Sequence, residues 1–135
     1  MTTYAAFCNA LADLPVAGVK TRQRYIPDQV PSANLPLMFV RLPEGSESGI
    51  TAEGEGGWPQ LSAELVIVVE PVRQNRNEQN QALTVQLIDN LTDALRAVTP
   101  GQVCKSKLSW RIVARTAPLG EIEHWAIVAR VTGNG

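Results

Sequence analysis

The patterning of the chain predicts an α/β fold of the α+β kind, in which one long and one short helix pack on a mostly antiparallel sheet of four to five strands. Three observations carry this expectation. A long alternating tract covers residues 60–72, an amphipathic helical pattern follows over about 77–98, and two further alternating tracts close the chain. The 135 residues suit a single domain, 1–135, large enough to bury a core without disulfides or metal.

From the start, Thr2 or Thr3 can cap a short helix whose apolar face is Tyr4, Phe7, Cys8 and Leu11, spaced i, i+3, i+4 and i+7, and Pro15 and Gly18 end it. Residues 19–25 alternate loosely, with Lys20, Arg22 and Arg24 on one side. A wholly basic face followed by Pro27 and Pro31 reads as an edge strand or an extended arm. A short apolar strand is expected over 35–42, bounded by Pro36 and Pro43.

The composition then changes abruptly. Between 44 and 59 the chain holds Glu44, Glu47, Glu53 and Glu55 among five glycines and no basic residue. Such a segment has little apolar surface to bury and much backbone entropy to lose, so a mobile loop is expected, a long excursion between two strands that ends near Trp58-Pro59.

The strand after it is the strongest. Leu61, Ala63, Leu65, Ile67 and Val69 form one face, while Val66 and Val68 keep the middle of the other apolar between Glu64 and Glu70, so its centre should be covered on both sides. Pro71 ends the ladder, and the polar run from Arg73 to Asn77 offers helix caps. The long helix presents Thr84, Leu87, Ile88, Leu91, Leu95 and Val98 as one stripe, and Thr99-Pro100-Gly101 stops it. Asp89, Asp93 and Arg96 on its other side read as a solvated face.

The closing tracts, 107–116 and 122–132, make a hairpin turning near Pro118-Leu119-Gly120-Glu121. Trp110, Ile112, Ala114, Trp125, Ile127, Ala129 and Val131 fall on its apolar face; Arg111, Val113, Arg115, His124, Ala126, Val128 and Arg130 fall on the other. The Gly133-Asn134-Gly135 ending is expected to fray.

Twelve basic and 13 acidic residues give a net charge of −1, so no overall field draws the protein to nucleic acid or to a membrane. The start lacks the basic region of a secretory signal, no apolar run is long enough to span a bilayer, and Cys8 and Cys104 lack metal-site spacing. Buried free thiols, with a disulfide between the two cysteines as the alternative, and a soluble protein that acts in the cytoplasm are therefore expected.

The sequence holds few residues in arrangements that suggest chemistry. His124 is the sole histidine, which leaves at most one imidazole for a triad or a metal cage, and its neighbour Glu123 points to the opposite strand face. Gly54-Glu55-Gly56-Gly57 lacks the Gly-Lys-Ser/Thr ending of a phosphate loop and precedes a strand where a helix is required. The loop glutamates lack calcium-loop spacing. No catalytic, cofactor-binding or metal residue is assigned, and no enzyme activity is expected.

Arg96, Lys105, Lys107, Arg111 and Arg115 occupy a stretch without acids, but only Trp110 interleaves as an aromatic. A solvated sheet face explains them better than a nucleic-acid platform. A third reading joins the two unusual segments: the acidic loop of one subunit could meet the basic strand face of the next, and such head-to-tail contacts close into rings when the rotation permits. Arg22, Arg24, Glu44, Glu47, Glu53, Glu55, Arg111 and Arg115 are the candidate contact residues.

The order of elements resembles a known family. The short helix from Tyr4, the basic segment Lys20-Thr21-Arg22-Gln23-Arg24-Tyr25, the Leu37-Met38-Phe39-Val40 strand, the acidic excursion, the Glu64-Leu65-Val66-Ile67-Val68-Val69 strand, one long helix and a final hairpin resemble the tail terminator proteins of long-tailed bacteriophages. The resemblance covers nearly the whole chain and is one of layout, without a diagnostic motif. It implies a non-enzymatic structural protein that forms a hexameric ring on the last ring of the tail tube, stops tube polymerisation and provides the head-joining surface. The implied partners are further copies of itself, the tail-tube protein and a head-completion or neck protein. The implied location is the head-proximal end of the virion tail, after assembly in the host cytoplasm. Another head-tail connector or neck protein fits the same size and ring logic; a small hydrolase or nucleotide-binding protein is the enzyme alternative.

Overall fold

Helix α1 (Tyr4–Ala12) starts where the Thr3 hydroxyl accepts a hydrogen bond from the Ala6 amide at 3.1 Å, the N-cap expected of a threonine at this place. The computed structural model describes residues 3–27, 30–42, 50–51, 60–72, 77–119 and 122–134. The other elements are β1 (Thr21–Arg22), a 3-10 turn (Ser32–Asn34), β2 (Leu37–Arg41), β3 (Ile50–Thr51), β4 (Gln60–Pro71), α2 (Asn77–Arg96), β5 (Ser109–Leu119) and β6 (Ile122–Asn134).

The strands lie in the order β1-β2-β4-β6-β5, with the two-residue β3 pairing β4 beyond the end of β2. This is an α+β fold. Its sheet is mixed, because β1 runs parallel to β2 while every other pairing is antiparallel. The five strands of the main path match the expected number, and β3 is a sixth.

Both helices cover one face of the sheet. Phe7 and Leu11 from α1 and Leu87, Leu91 and Leu95 from α2 share a core with Met38, Val40, Leu61, Ala63, Leu65, Ile67, Val69, Ile127, Ala129 and Val131. Each buried leucine of α2 contributes about 1.5 to 3 kcal/mol, so the stripe, rather than intrinsic helix propensity, holds the helix in place. The opposite face has its own smaller apolar centre, Leu37, Phe39, Val66, Val68, Ala126 and Val128, against which Val30 and Leu35 pack. The two-sided cover expected for β4 is thus present, with Val30 and Leu35, from the connection between β1 and β2, supplying part of the second layer.

Several boundaries move: β2 is confined to Leu37–Arg41 and β5 begins at Ser109. The hairpin strand β5 continues past Thr116 to Leu119, which pairs with Ile122; Pro118 is tolerated because an edge strand has one side where no ladder donor is required. The C-terminus does not fray at Gly133 and Asn134, contrary to expectation. These residues pair with Leu61 and Gln60, and Asn134 is stitched to the preceding connection through its amide to the Ser106 hydroxyl (2.8 Å) and its carbonyl to the Lys105 amide (2.9 Å). The long helix ends at Arg96, two residues before the expected Val98, which is nevertheless buried. The caps sought between Arg73 and Arg76, and the turn residues Gly120 and Glu121, lie outside the described residues.

Gly133 is where a side chain would do most harm. A Cβ there would run into Cys104 Sγ and come within 3.1 Å of Leu108 Cδ2. Gly133→Ala should lower stability by about 1 to 3 kcal/mol through overpacking, and adding Cys104→Ala should recover much of that loss; urea unfolding of the two variants checks both. Cys104 is buried and free, Cys8 is free and half-buried, and burial pushes the Cys8 thiol up.

Tyr4 ties α1 to the sheet, its hydroxyl donating to the Ser62 carbonyl at 2.8 Å. Burial, reinforced by the neighbouring Cys8, raises its phenol well above the ordinary 10.0. The folded state therefore keeps this proton after the unfolded chain has lost it. The resulting stabilisation is complete below about pH 10 and is lost as pH rises through the raised folded value. Unfolding measured across about pH 8 to 11 should show a decline that Tyr4→Phe flattens.

Candidate functional site

The register of four strands assembles a charged row on the sheet face away from the helices. Arg41 of β2 stands opposite Glu64 of β4, Glu64 opposite Arg130 of β6, and Arg130 opposite Arg111 of β5. Arg41 Nε donates to Glu64 Oε1 at 2.9 Å, and Arg130 Nη2 lies 3.6 Å from Glu64 Oε2. The Glu64 side chain is only 7% exposed, and two guanidiniums face it, the pairing that a carboxylate buried in a sheet requires. The next row is apolar: Phe39, Val66, Val128 and Val113. The one after ends in Arg115, beyond Leu37, Val68 and Ala126.

Basic character therefore concentrates at the β5 end of this face. A groove of about 260 Å³ is lined by Glu64, Arg111, Val113, Arg115, Val128 and Arg130. Three guanidiniums around one neutralised carboxylate suit the recognition of carboxylates, since the planar fork of arginine matches two oxygens at once.

Beside the groove, β5 terminates the sheet. Its one partner among the described strands is β6, and Arg111, Val113, Ala114, Arg115 and Thr116 are all exposed. On the helix side of β5 lies a second depression, about 520 Å³, lined by Gln81, Thr84, Val85, Ile88, Ala114 and Trp125 and largely apolar. Ala114 was expected among the core-facing residues of the hairpin; it is on that side of the sheet but exposed, because it lines this cleft and is not part of the core.

Trp125 is held there by α2. The buried Asn80, with its amide oriented to satisfy both neighbours, donates to the Glu70 carboxylate and accepts from the Trp125 indole Nε1 at 3.2 Å. Glu70 and Trp125 are paired just past the irregularity in the β4–β6 register at Val68. The start of the helix is thus locked to the point where the sheet bends.

The candidate contact residues divide into three groups. Arg111 and Arg115 sit together on the β5 edge. Arg22 and Arg24 are drawn to the end of α1: Arg22 Nη1 donates to the Asp13 and Leu14 carbonyls at 3.1 and 3.0 Å, and Arg24 Nη2 pairs with Asp13 Oδ2 at 3.0 Å. Cations there complement the negative end of the helix and its open carbonyls. Glu44, Glu47, Glu53 and Glu55, with the loop expected to be mobile, lie outside the described residues.

His124 is buried, its Nδ1 3.1 Å from the Ile122 carbonyl. No group of three or more potential metal ligands occurs among the described residues, and no helix among them is long and apolar enough to cross a membrane. The residues that sequence reasoning left out, Arg41 with Glu64 and Arg130, and Asn80 with Glu70 and Trp125, are partners across strands or layers. Only the isolated polar positions within apolar runs hint at them.

No protein-family model matches the chain, and no curated protein matches it. Function rests on the surfaces themselves.

Proposed function

We propose that the protein is a bacteriophage tail terminator. It assembles as a ring, hexameric in the family it resembles, on the last ring of the tail tube, stops tube growth and offers the head-completion or neck protein a surface to join. Capping requires one ring face that imitates the docking surface of a tube subunit and an opposite face that refuses another tube ring. It is a matter of shape and symmetry, with no chemical step.

The observation that most supports this reading is β5, an eleven-residue strand at the end of the sheet with Arg111, Val113, Ala114, Arg115 and Thr116 exposed, flanked by an arginine-lined groove and an apolar cleft. An edge strand of this length is a template for another chain unless it is blunted, and the arginines make it selective for an acidic counterpart. The order of elements, one long helix after the central strand and a closing hairpin, adds the likeness in layout.

Electron microscopy of particles assembled without the gene tests the assignment. A terminator leaves overlong tails. Filled, tailless heads beside tails of normal length would instead identify a neck protein and overturn the reading.

A further inference from the structure

We infer that β5 takes an extended segment of a different protein, added to the sheet as a further strand and carrying the pattern acid, apolar, any residue, apolar, acid. This rests on the reading of β5 as a contact strand and specifies the partner's chemistry at that strand.

The pattern follows from what each face of β5 offers. On a strand, alternate side chains point to opposite faces, and an added strand places its residues directly opposite those of its neighbour. Arg111 and Arg115 lie on one face, four residues apart, with Val113 between them. Acids on an added strand must then also be four apart on that face. On the other face, Ala114 opens into the cleft walled by Val85, Ile88 and Trp125, and Ile112 precedes it, half-buried against the core. The residues between the acids that turn to this face must be apolar to fill the cleft. Because the pattern reads the same in either direction, it holds for parallel and antiparallel addition.

Another copy of this chain does not supply the segment. Asp89 and Asp93 are the only acids in the sequence spaced four apart; they lie in α2 with the polar Asn90 and Thr92 at the intervening positions that should be apolar. Pairing β5 with its own copy about Val113 in antiparallel register would set Arg111 against Arg115, like charge against like charge. The occupant is therefore a separate protein, and copies of this chain meet one another elsewhere.

The probe is a nine-residue peptide whose centre is Glu, Val, Thr, Val, Glu, titrated into isotope-labelled protein and followed by amide resonances. Two controls are used: a peptide of the same composition with its acids adjacent, and a charge-inverted peptide with Lys in place of Glu. The expected result is a shift and slowed exchange of amides in β5, with weaker binding as salt is added. Reversing the exposed Arg111→Glu or Arg115→Glu should weaken binding about tenfold each, and the double reversal should transfer preference to the charge-inverted peptide.

Equal binding of the rearranged peptide, shifts confined to other surfaces, or no binding would overturn the inference. So would self-association through β5 that excludes the peptide. The reading of β5 as a contact strand fails separately, if Val113→Pro, which distorts the edge, leaves the capture of purified tail tubes and of the neck protein unchanged.

Discussion

Glu64→Ala should destabilise the fold by about 3 kcal/mol, the low end of what breaking a buried ion pair costs. The carboxylate it removes accepts from Arg41, whose side chain is 15% exposed, and faces Arg130, which is 35% exposed. Deleting the anion removes the carboxylate that Arg41 donates to and leaves two guanidiniums facing one another across the row. Arg130 reaches water and relaxes at little cost, which is why the effect does not climb to the top of the range. Replacing the pair together, Arg41→Met with Glu64→Leu, should recover most of the loss, because two apolar side chains of similar size fit beside Phe39 and Val66 without desolvating a charge. Urea unfolding of the single and double variants makes the comparison. A single variant as stable as the parent would mean that the row contributes nothing to the fold.

Leu91→Ala should cost as much or more, about 3 to 5 kcal/mol. Leu91 is fully buried at the middle of the α2 stripe, where the helix meets the sheet, and the strands beneath it are tied on both sides and cannot collapse into the space left. A domain of this size is commonly stable by about 5 to 15 kcal/mol, so this one change removes a large share. Val85→Ala on the same helix is the control. Val85 is 50% exposed, and its loss should change stability by less than about 0.5 kcal/mol. Comparable losses for the two variants would contradict the helix orientation described here.

How far the sequence discloses the fold follows from which interactions are local. The Thr3 cap, the Leu87-Leu91-Leu95 stripe and the two apolar faces of β4 are written in residues close together in the chain, and each appears where its pattern places it. The basic segment after α1 reads correctly as an edge: β1 occupies the border of the sheet, with Arg22 and Arg24 holding the end of α1. Its parallel pairing with β2 is not legible, because nothing in Thr21 or Leu37 distinguishes that partner from the others. The C-terminus pairs where fraying is expected, for a related reason. Gly133 suggests flexibility when read alone, yet it is a glycine because Cys104 packs where its side chain would be.

The candidate site was half legible. Arg111 and Arg115 are recognisable as one face of a strand by their spacing. Their relation to Glu64 and Arg41 depends on the register of four strands drawn from distant parts of the chain, a quantity set by turns and packing that alternation alone does not encode. The apolar cleft beside β5 is a product of layer geometry, formed where α2 and the hairpin diverge around Trp125, and no linear pattern announces it.

The most direct test of the account is to mix the purified protein with purified tail tubes and image the product while measuring mass over a concentration series. A closed ring of like copies, seated at one end of each tube and absent from its length, is the expected product. Chains that stay single at every concentration and leave both tube ends bare would contradict it.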